Sequence, residues 1–159
     1  MKAGEPYNVK ATGPSDIRRI EGAIFNWGAD MTYRNNPYEL GLDRLVDGLP
    51  EDASISIKAL KAIKAAGVAS KINGVEIDGD PFPALNNTKW DVSAGGSTVG
   101  KVTSAIHSPR LDTNIGYAWL PAELSTPGTT VEVTTEWGTR TATVVEMPFV
   151  DPNKQIPVS

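Results

Sequence analysis

The sequence predicts an α+β protein, in which a short α+β N-terminal piece precedes a small six-stranded, Greek-key-like β-barrel. Apolar residues recur at helical spacing twice before residue 68. From Val68 onward, short β-prone runs alternate with turn residues about every eight to twelve positions. With 159 residues, 40% of them hydrophobic, the chain is long enough to bury a core.

The first elements are a short strand at YNVKAT and then a turn that places Ser15 at the N-cap of a helix. Steps of three and four residues between apolar positions predict that this helix runs to Gly28 and buries one face. The apolar positions are Ile17, Ile20, Ile24 and Trp27. A shorter element, predicted as a strand, follows at YELGLDRLVD, and SIKALKAIKAAG predicts a helix that ends at Gly67 with its lysines solvated.

Six strands are predicted for the barrel, and the hairpin that turns at Glu136 to Thr139 has the strongest alternation. The strand segments are SKINGVEI, a run near TKWDV, TVGKVTSAI, IGYAWL, TTVEVTT and TRTATVVEM. Of the four tryptophans, three fall in or beside these strands, where burial is the usual role, and Trp27 alone is placed to border a pocket.

The stretch GGSTVGKV approaches the phosphate-binding pattern G-x-x-x-x-G-K-[ST]. Val102 stands where that pattern needs a Mg²⁺-binding hydroxyl, and the β-branched residues after it favour a strand over the required helix. A hairpin turn at Ala94 to Ser97 explains the glycines, so we expect no nucleotide site.

Charge and composition exclude several classes of function. A net charge of −4 without a basic patch argues against nucleic acid or an anionic membrane as the main partner. No apolar run approaches the ~20 residues of a membrane span, and the N-terminus lacks the apolar core of a signal peptide, so a cytoplasmic location is expected. The chain has no cysteine and one histidine, and we predict no metal site.

The remaining polar residues suggest no self-sufficient active site. His107, in a loop with no Ser-Asp pattern beside it, is interpreted as structural. Asp16 and Glu21 diverge on their helix and are expected to pair with Arg18, Arg19 or the backbone. The run EIDGD lacks the spacing of a calcium loop and is interpreted as a hairpin end.

A long ordered match links the chain to a known family. The run GGSTVGKVTSAIHSPRLDTNIGYAWLPAELSTPGTTVEV, closing in VVEMPFVDP, resembles the C-terminal domain of the glycine-cleavage T-protein (aminomethyltransferase) family. Upstream, SDIRRIEGAIFNWGADMTYRNNPYELGLDRLVD resembles the segment that closes that family's folate-binding domain. The wording GPSDIRRIEGAIFNWGADM is more similar to the branch of tetrahydrofolate-dependent demethylases that act on S- or O-methyl substrates.

The resemblance implies a domain division and a function. Residues 1–50 correspond to a remnant of the folate-binding domain, 51–67 to a connecting helix and 68–159 to the C-terminal barrel. The family's catalytic aspartate and folate-clamping acidic residue precede anything that resembles Met1. The chain is therefore expected to be a C-terminal fragment, natural or engineered, of a tetrahydrofolate-dependent methyl- or aminomethyltransferase, without catalytic activity of its own.

The resemblance also implies cofactor-binding positions. Ser15 stands where the family has a folate-contacting arginine, and Arg18, one turn on, is expected to reach the same space. Trp27 occupies the motif's aromatic position, and Lys154 replaces a ligand-contacting tyrosine. Three further positions match or replace motif residues: Arg44 stands for a tryptophan, Asp30 matches the motif, and Glu21 matches it and is interpreted as a structural partner of Arg19.

Two functions remain open at this point. In the first, the chain supplies a pocket wall for tetrahydrofolate and a small methyl or aminomethyl donor. In the second, it is a non-catalytic binding or assembly module that reuses the barrel. Because the apolar face of the first helix would lose part of its packing partner in a fragment, we predict self-association, as a homodimer formed through the N-terminal elements.

Overall fold

A computed structural model of the chain describes residues 6–8, 13–153 and 155. Two α-helices precede the barrel, α1 at Asp16–Glu21 and α2 at Ile57–Ala66, and short 3₁₀ helices lie at Asp43–Leu45 and Ala122–Leu124. Neither α-helix of this described part is long and apolar enough to cross a membrane.

All six predicted strands are present and close into an antiparallel barrel. They are β1 (Ser70–Ile77), β2 (Trp90–Ala94), β3 (Ser97–Ser108), β4 (Thr113–Pro121), β5 (Thr130–Thr135) and β6 (Gly138–Val145). Their order around the barrel is β1-β4-β3-β2-β5-β6. Strands β2, β3 and β4 form a meander, and β1 lies beside β4. If the four strands are counted from β4 back to β1, this is the strand order of a Greek key.

The tight hairpin between β2 and β3 confirms the turn predicted for the glycine-rich stretch. Ala94 pairs with Ser97, so that only Gly95 and Gly96 lie in the turn. Their φ values of 58° and 80° place both in the left-handed region, which the two-residue turns of hairpins require and glycine adopts without strain.

Alternation along the strands separates an inner core from an outer one. Inside the barrel, apolar side chains from all six strands pack with Phe82 and Trp90. Outside it, Ile115 and Tyr117 of β4 pack with Ile20 of α1 and Leu40, and all four are buried. The outer cluster holds the N-terminal piece against the barrel, and burial of Ile20 alone contributes about 2 kcal/mol.

The prediction that the first helix reaches Gly28 is wrong. Ser15 is the N-cap as predicted, but α1 ends at Glu21, and Gly22 donates its N–H to the Arg18 carbonyl oxygen at 3.0 Å. Ala23 has a φ of 55°, which a right-handed helix cannot continue through. Consequently Ile24 and Trp27 leave the helical face and are 61% and 66% exposed.

The second wrong prediction is the strand at YELGLDRLVD. This segment consists of turns and the 3₁₀ helix at Asp43–Leu45. The Asn36 side chain accepts the N–H groups of Tyr38 and Glu39 at 3.0 and 3.2 Å, and it thereby starts a turn instead of an extended strand. Gly41, with φ of 66°, prevents a regular continuation.

Other predictions have mixed outcomes. Helix α2 is confirmed, and it ends before Gly67, whose φ is 77°. Most of the strand predicted at YNVKAT lies outside the described residues, and its described residues, Tyr7 and Asn8, do not form a strand. Trp90 is buried as expected, whereas Trp137, in the β5–β6 turn, is 46% exposed.

Candidate functional site

The N-terminus of α1 borders an open cleft of about 350 Å³. Both residues predicted at this end of the helix, Ser15 and Arg18, line it, together with Pro14, Asp16, Arg19, Ile24 and Asn26. Ser15 is placed by its role as N-cap, in which Oγ accepts the Arg18 N–H at 3.4 Å.

The two arginines of α1 have different environments. The Arg19 guanidinium donates to Asp16 at 2.9 Å, to Asp30 at 3.0 Å and to the Ser104 hydroxyl at 3.0 Å. No residue in the described part of the chain forms a hydrogen bond or ion pair with the exposed Arg18 guanidinium. Arg18 is therefore the cation in this cleft that remains available for an anionic ligand.

Asp30 is the centre of a buried polar network. Its side chain is 0% exposed, and its two oxygens accept four hydrogen bonds. Arg19 and the Asn26 N–H donate to Oδ2 at 3.0 and 2.8 Å, and the hydroxyls of Thr103 and Ser104 donate to Oδ1 at 2.7 and 2.6 Å. These bonds satisfy a carboxylate that would otherwise be costly to bury, and they tie the N-terminal segment to β3.

A bulge in β3 makes this arrangement possible. The pairing of β3 with β4 shifts between Val102 and Ser104. Successive side chains of a regular strand point to opposite faces, whereas here Thr103 and Ser104 both reach the same carboxylate oxygen. The irregularity therefore delivers two adjacent hydroxyls to Asp30.

A second pair of contacts clamps α1 onto the barrel. The Ser108 hydroxyl donates to the buried Glu21 carboxylate at 2.6 Å, so the predicted pairing of Glu21 with Arg19 is wrong. The Tyr117 hydroxyl donates to the carbonyl oxygens of Arg19 and Ile20 at 3.0 and 3.2 Å. Desolvation by burial is the main cause that raises the pKa of Tyr117 above its usual value.

A larger cavity of about 520 Å³ lies between the N-terminal piece and the barrel. Apolar side chains line it from both sides, among them Phe25, Leu42 and Met147, and its charged lining residues are Arg44, Lys71 and Glu146. Residues 22–26 separate it from the smaller cleft, since Gly22, Ala23 and Phe25 line the cavity whereas Ile24 and Asn26 line the cleft. In the described ranges, no cluster of three or more acidic or histidine side chains could hold a metal ion.

The four predicted cofactor-binding residues are only partly brought together. Ser15 and Arg18 share the smaller cleft. Trp27 lines neither space; it is 66% exposed, and its backbone forms an isolated bridge with Met31. Lys154 lies outside the described residues, although Pro152, two positions before it, lines the larger cavity.

The network around Asp30 was missed at the level of the sequence. Asp30, Thr103 and Ser104 all match the family motifs, but their partners are separated by more than seventy positions, and no local periodicity indicates such a pairing. The usable signal was the pair of adjacent hydroxyl residues, Thr103 and Ser104, between the apolar residues Val102 and Ala105.

Three comparisons place this architecture among known proteins. The family model of the glycine cleavage T-protein C-terminal barrel domain matches residues 71–151. The dimethylsulfoniopropionate demethylase DmdA of Ruegeria pomeroyi is 38% identical over 144 residues, which are 91% of this chain and 38% of that protein. An aminomethyltransferase of Picosynechococcus is 34% identical over 143 residues, 90% of this chain and 39% of that protein.

A solved structure shows the same fold. The glycine cleavage system aminomethyltransferase T of Bartonella henselae superposes with a TM-score of 0.73 at 20% identity, over 86% of this chain and 38% of that one. The chain thus spans about two-fifths of the length of the Ruegeria and Picosynechococcus relatives. Since the family model covers half of the chain and the barrel has the same fold, the chain belongs to the family defined by the glycine cleavage T-protein C-terminal barrel domain.

Proposed function

We propose that the chain is the C-terminal part of a tetrahydrofolate-dependent methyl- or aminomethyltransferase and that it supplies one wall of the folate site without catalysing the reaction alone. In this proposal, residues 1–50 are a remnant of the folate-binding domain, 51–67 the connecting helix and 68–159 the barrel. The observation that carries it is the position of residues 22–26 between two open spaces, each lined by residues at or beside the family's ligand-contact positions.

The residues present suit the chemistry of folate. The cofactor joins a flat aromatic ring to an anionic tail, and the larger cavity combines apolar walls from Phe25 and Leu42 with the cations Arg44 and Lys71. In the smaller cleft, Arg18 offers an unpaired guanidinium beside the apolar side chain of Ile24. When bound, folate supplies N5 as the acceptor of the one-carbon group. This chain's own residues would orient the cofactor and exclude water from one side.

The named relatives support this class of reaction. One is named a dimethylsulfoniopropionate demethylase and the other an aminomethyltransferase. Both are more than twice as long as this chain, so the proposal assigns the remaining wall of the site, and the group that orients the reacting nitrogen, to a part of the protein outside these residues.

Calorimetry of the isolated chain with 5-formyltetrahydrofolate tests the incomplete site. We expect weak or undetectable heat, because one wall is missing. Submicromolar affinity would refute the proposal, since it would require a complete pocket within these residues.

A chimera tests the positive half of the proposal. In it, this chain replaces the matching C-terminal region of the Ruegeria demethylase. We expect demethylation to be retained and Arg18→Gln to raise KM for folate about tenfold, the usual effect of losing one charge-assisted hydrogen bond. Lys58→Gln, on the exposed face of α2, is the matched control and should leave KM unchanged. Equal KM values for the two variants would show that Arg18 does not contact the folate.

An exposed apolar strip favours a second candidate, an assembly module. Ile24, Trp27 and Tyr33 are 61%, 66% and 79% exposed in the segment that follows α1. Burial of such side chains contributes roughly 1.5–3 kcal/mol each, so the strip suits a protein interface. We propose that the isolated chain forms a homodimer through it.

A further inference from the structure

A third depression lies on the barrel itself. It is an open groove of about 400 Å³, and most of its lining surface is apolar. Val99 of β3 contributes to one side of the lining, and Trp119, Leu120 and Pro121 at the end of β4 contribute to the other. The two spaces beside residues 22–26 share none of these four side chains.

The groove runs along a free edge of β3. The first pair that β3 forms with β4 is Lys101 with Trp119, and β4 ends at Pro121, where the chain enters the 3₁₀ helix. Ser97 and Thr98 pair with β2 on their other side. In the part of the chain that the structure describes, no strand covers Ser97–Val99 on the side away from β2. Such an edge offers backbone N–H and C=O groups to another extended segment.

The rim of the groove carries a positive charge that no neighbour neutralises. Lys101 forms an ion pair with Asp91 at 2.6 Å. Lys89 is exposed, and none of the described residues pairs with it. An occupant of this groove therefore gains from a negative charge near its apolar portion.

We propose that the groove is a docking site for an extended, acidic peptide segment of another protein. The segment adds to the Ser97–Val99 edge as a short strand and places one apolar side chain against Val99 and Pro121. An acidic residue of the segment pairs with Lys89. The free backbone edge favours a peptide over a small apolar acid. Only a peptide can both fill the apolar groove with a side chain and form backbone hydrogen bonds with the strand edge. No part of this inference depends on the proposed folate site.

Fluorescence anisotropy with a short fluorescein-labelled peptide of alternating glutamate and valine tests the proposal. We expect saturable binding, and we expect about tenfold weaker binding when alternate peptide amides are N-methylated, because the strand hydrogen bonds are then lost. Lys89→Glu should weaken binding several-fold, and the matched variant Lys58→Glu on α2 should not. Amide resonances of Ser97–Val99 should shift on binding, while those of Ser15 and Arg18 stay in place.

Several results would overturn the proposal. Equal affinity of the N-methylated peptide would exclude strand addition, and equal affinity of a lysine-valine peptide would exclude the charge preference. Displacement of the probe by octanoate at similar concentrations would assign the groove to a small apolar acid. Absence of saturation, or resonance shifts confined to other surfaces, would show that the groove docks no such segment.

Discussion

Replacement of Asp30 by asparagine should destabilise the protein far more than replacement of any exposed carboxylate. Asp30→Asn keeps the side-chain shape but removes the charge that Arg19 faces. Each carboxylate oxygen accepts two hydrogen bonds, so two of the four accepted bonds must meet an NH₂ donor instead. Breaking one partner of a buried ion pair costs about 3–5 kcal/mol. Arg19 keeps Asp16 and Ser104 as partners, so we expect the lower end, about 3 kcal/mol.

Urea unfolding followed by circular dichroism measures this loss, and calorimetry should show a melting temperature lower by roughly 6–12 °C for a domain of this size. Asp16→Asn is the matched control, because Asp16 bonds the same arginine but its side chain is 49% exposed. That change should cost less than about 1 kcal/mol. A coupling energy above about 0.5 kcal/mol between Asp30→Asn and Thr103→Val would identify the shared network. Equal losses for Asp30→Asn and Asp16→Asn would refute the reasoning.

Three further outcomes are expected. Gly100→Ala should lower the free energy of unfolding in urea by roughly 1–3 kcal/mol, because a Cβ there would lie 2.0 Å from the Trp119 carbonyl oxygen. Gly13→Ala is the control and should lower it by almost nothing, since an added Cβ would meet no atom within 4 Å. Similar losses for the two variants would contradict the close approach at Gly100. The free energy of unfolding should fall above about pH 10, because burial raises the pKa of Tyr117 in the folded state and the unfolded chain therefore loses the phenol proton at a lower pH. Tyr117→Phe should flatten this decline, and an unchanged dependence of stability on pH would exclude Tyr117 as its cause. Sedimentation velocity should show a homodimer that Trp27→Glu dissociates and that Ile55→Glu, at a fully exposed site outside the strip, leaves intact. A monomeric parent chain would rule out the interface.

The barrel was accessible from the sequence because its signals are local. Val131 and Val133 point inward and are buried, and the intervening Glu132 is exposed, as the alternation predicts. The two-residue turn at Gly95 and Gly96 is equally local, since few residues other than glycine adopt both conformations.

The N-terminal piece was less accessible because its conformation depends on distant contacts. Ile24 and Trp27 continue the helical spacing of Ile17 and Ile20, yet Ala23 turns left-handed, which its residue type does not signal. Of the candidate site, Ser15 and Arg18 line one cleft because the N-cap position fixes them relative to each other, and their role in cofactor binding stays a prediction. The partners of Glu21 and Asp30 lie on β3, and helix and strand patterns carry no information about such pairs.

The extra residue in β3 couples the length of this strand to the buried charge of Asp30. Deletion of Thr103 would give a smoother strand with an uninterrupted ladder, but it would remove one of the two hydroxyls that donate to Asp30. A shortened variant should therefore tolerate Asp30→Ala better than the parent chain does. The inserted residue looks like a local defect of the strand, but it determines that the N-terminal piece needs a carboxylate at position 30 to pack against this barrel.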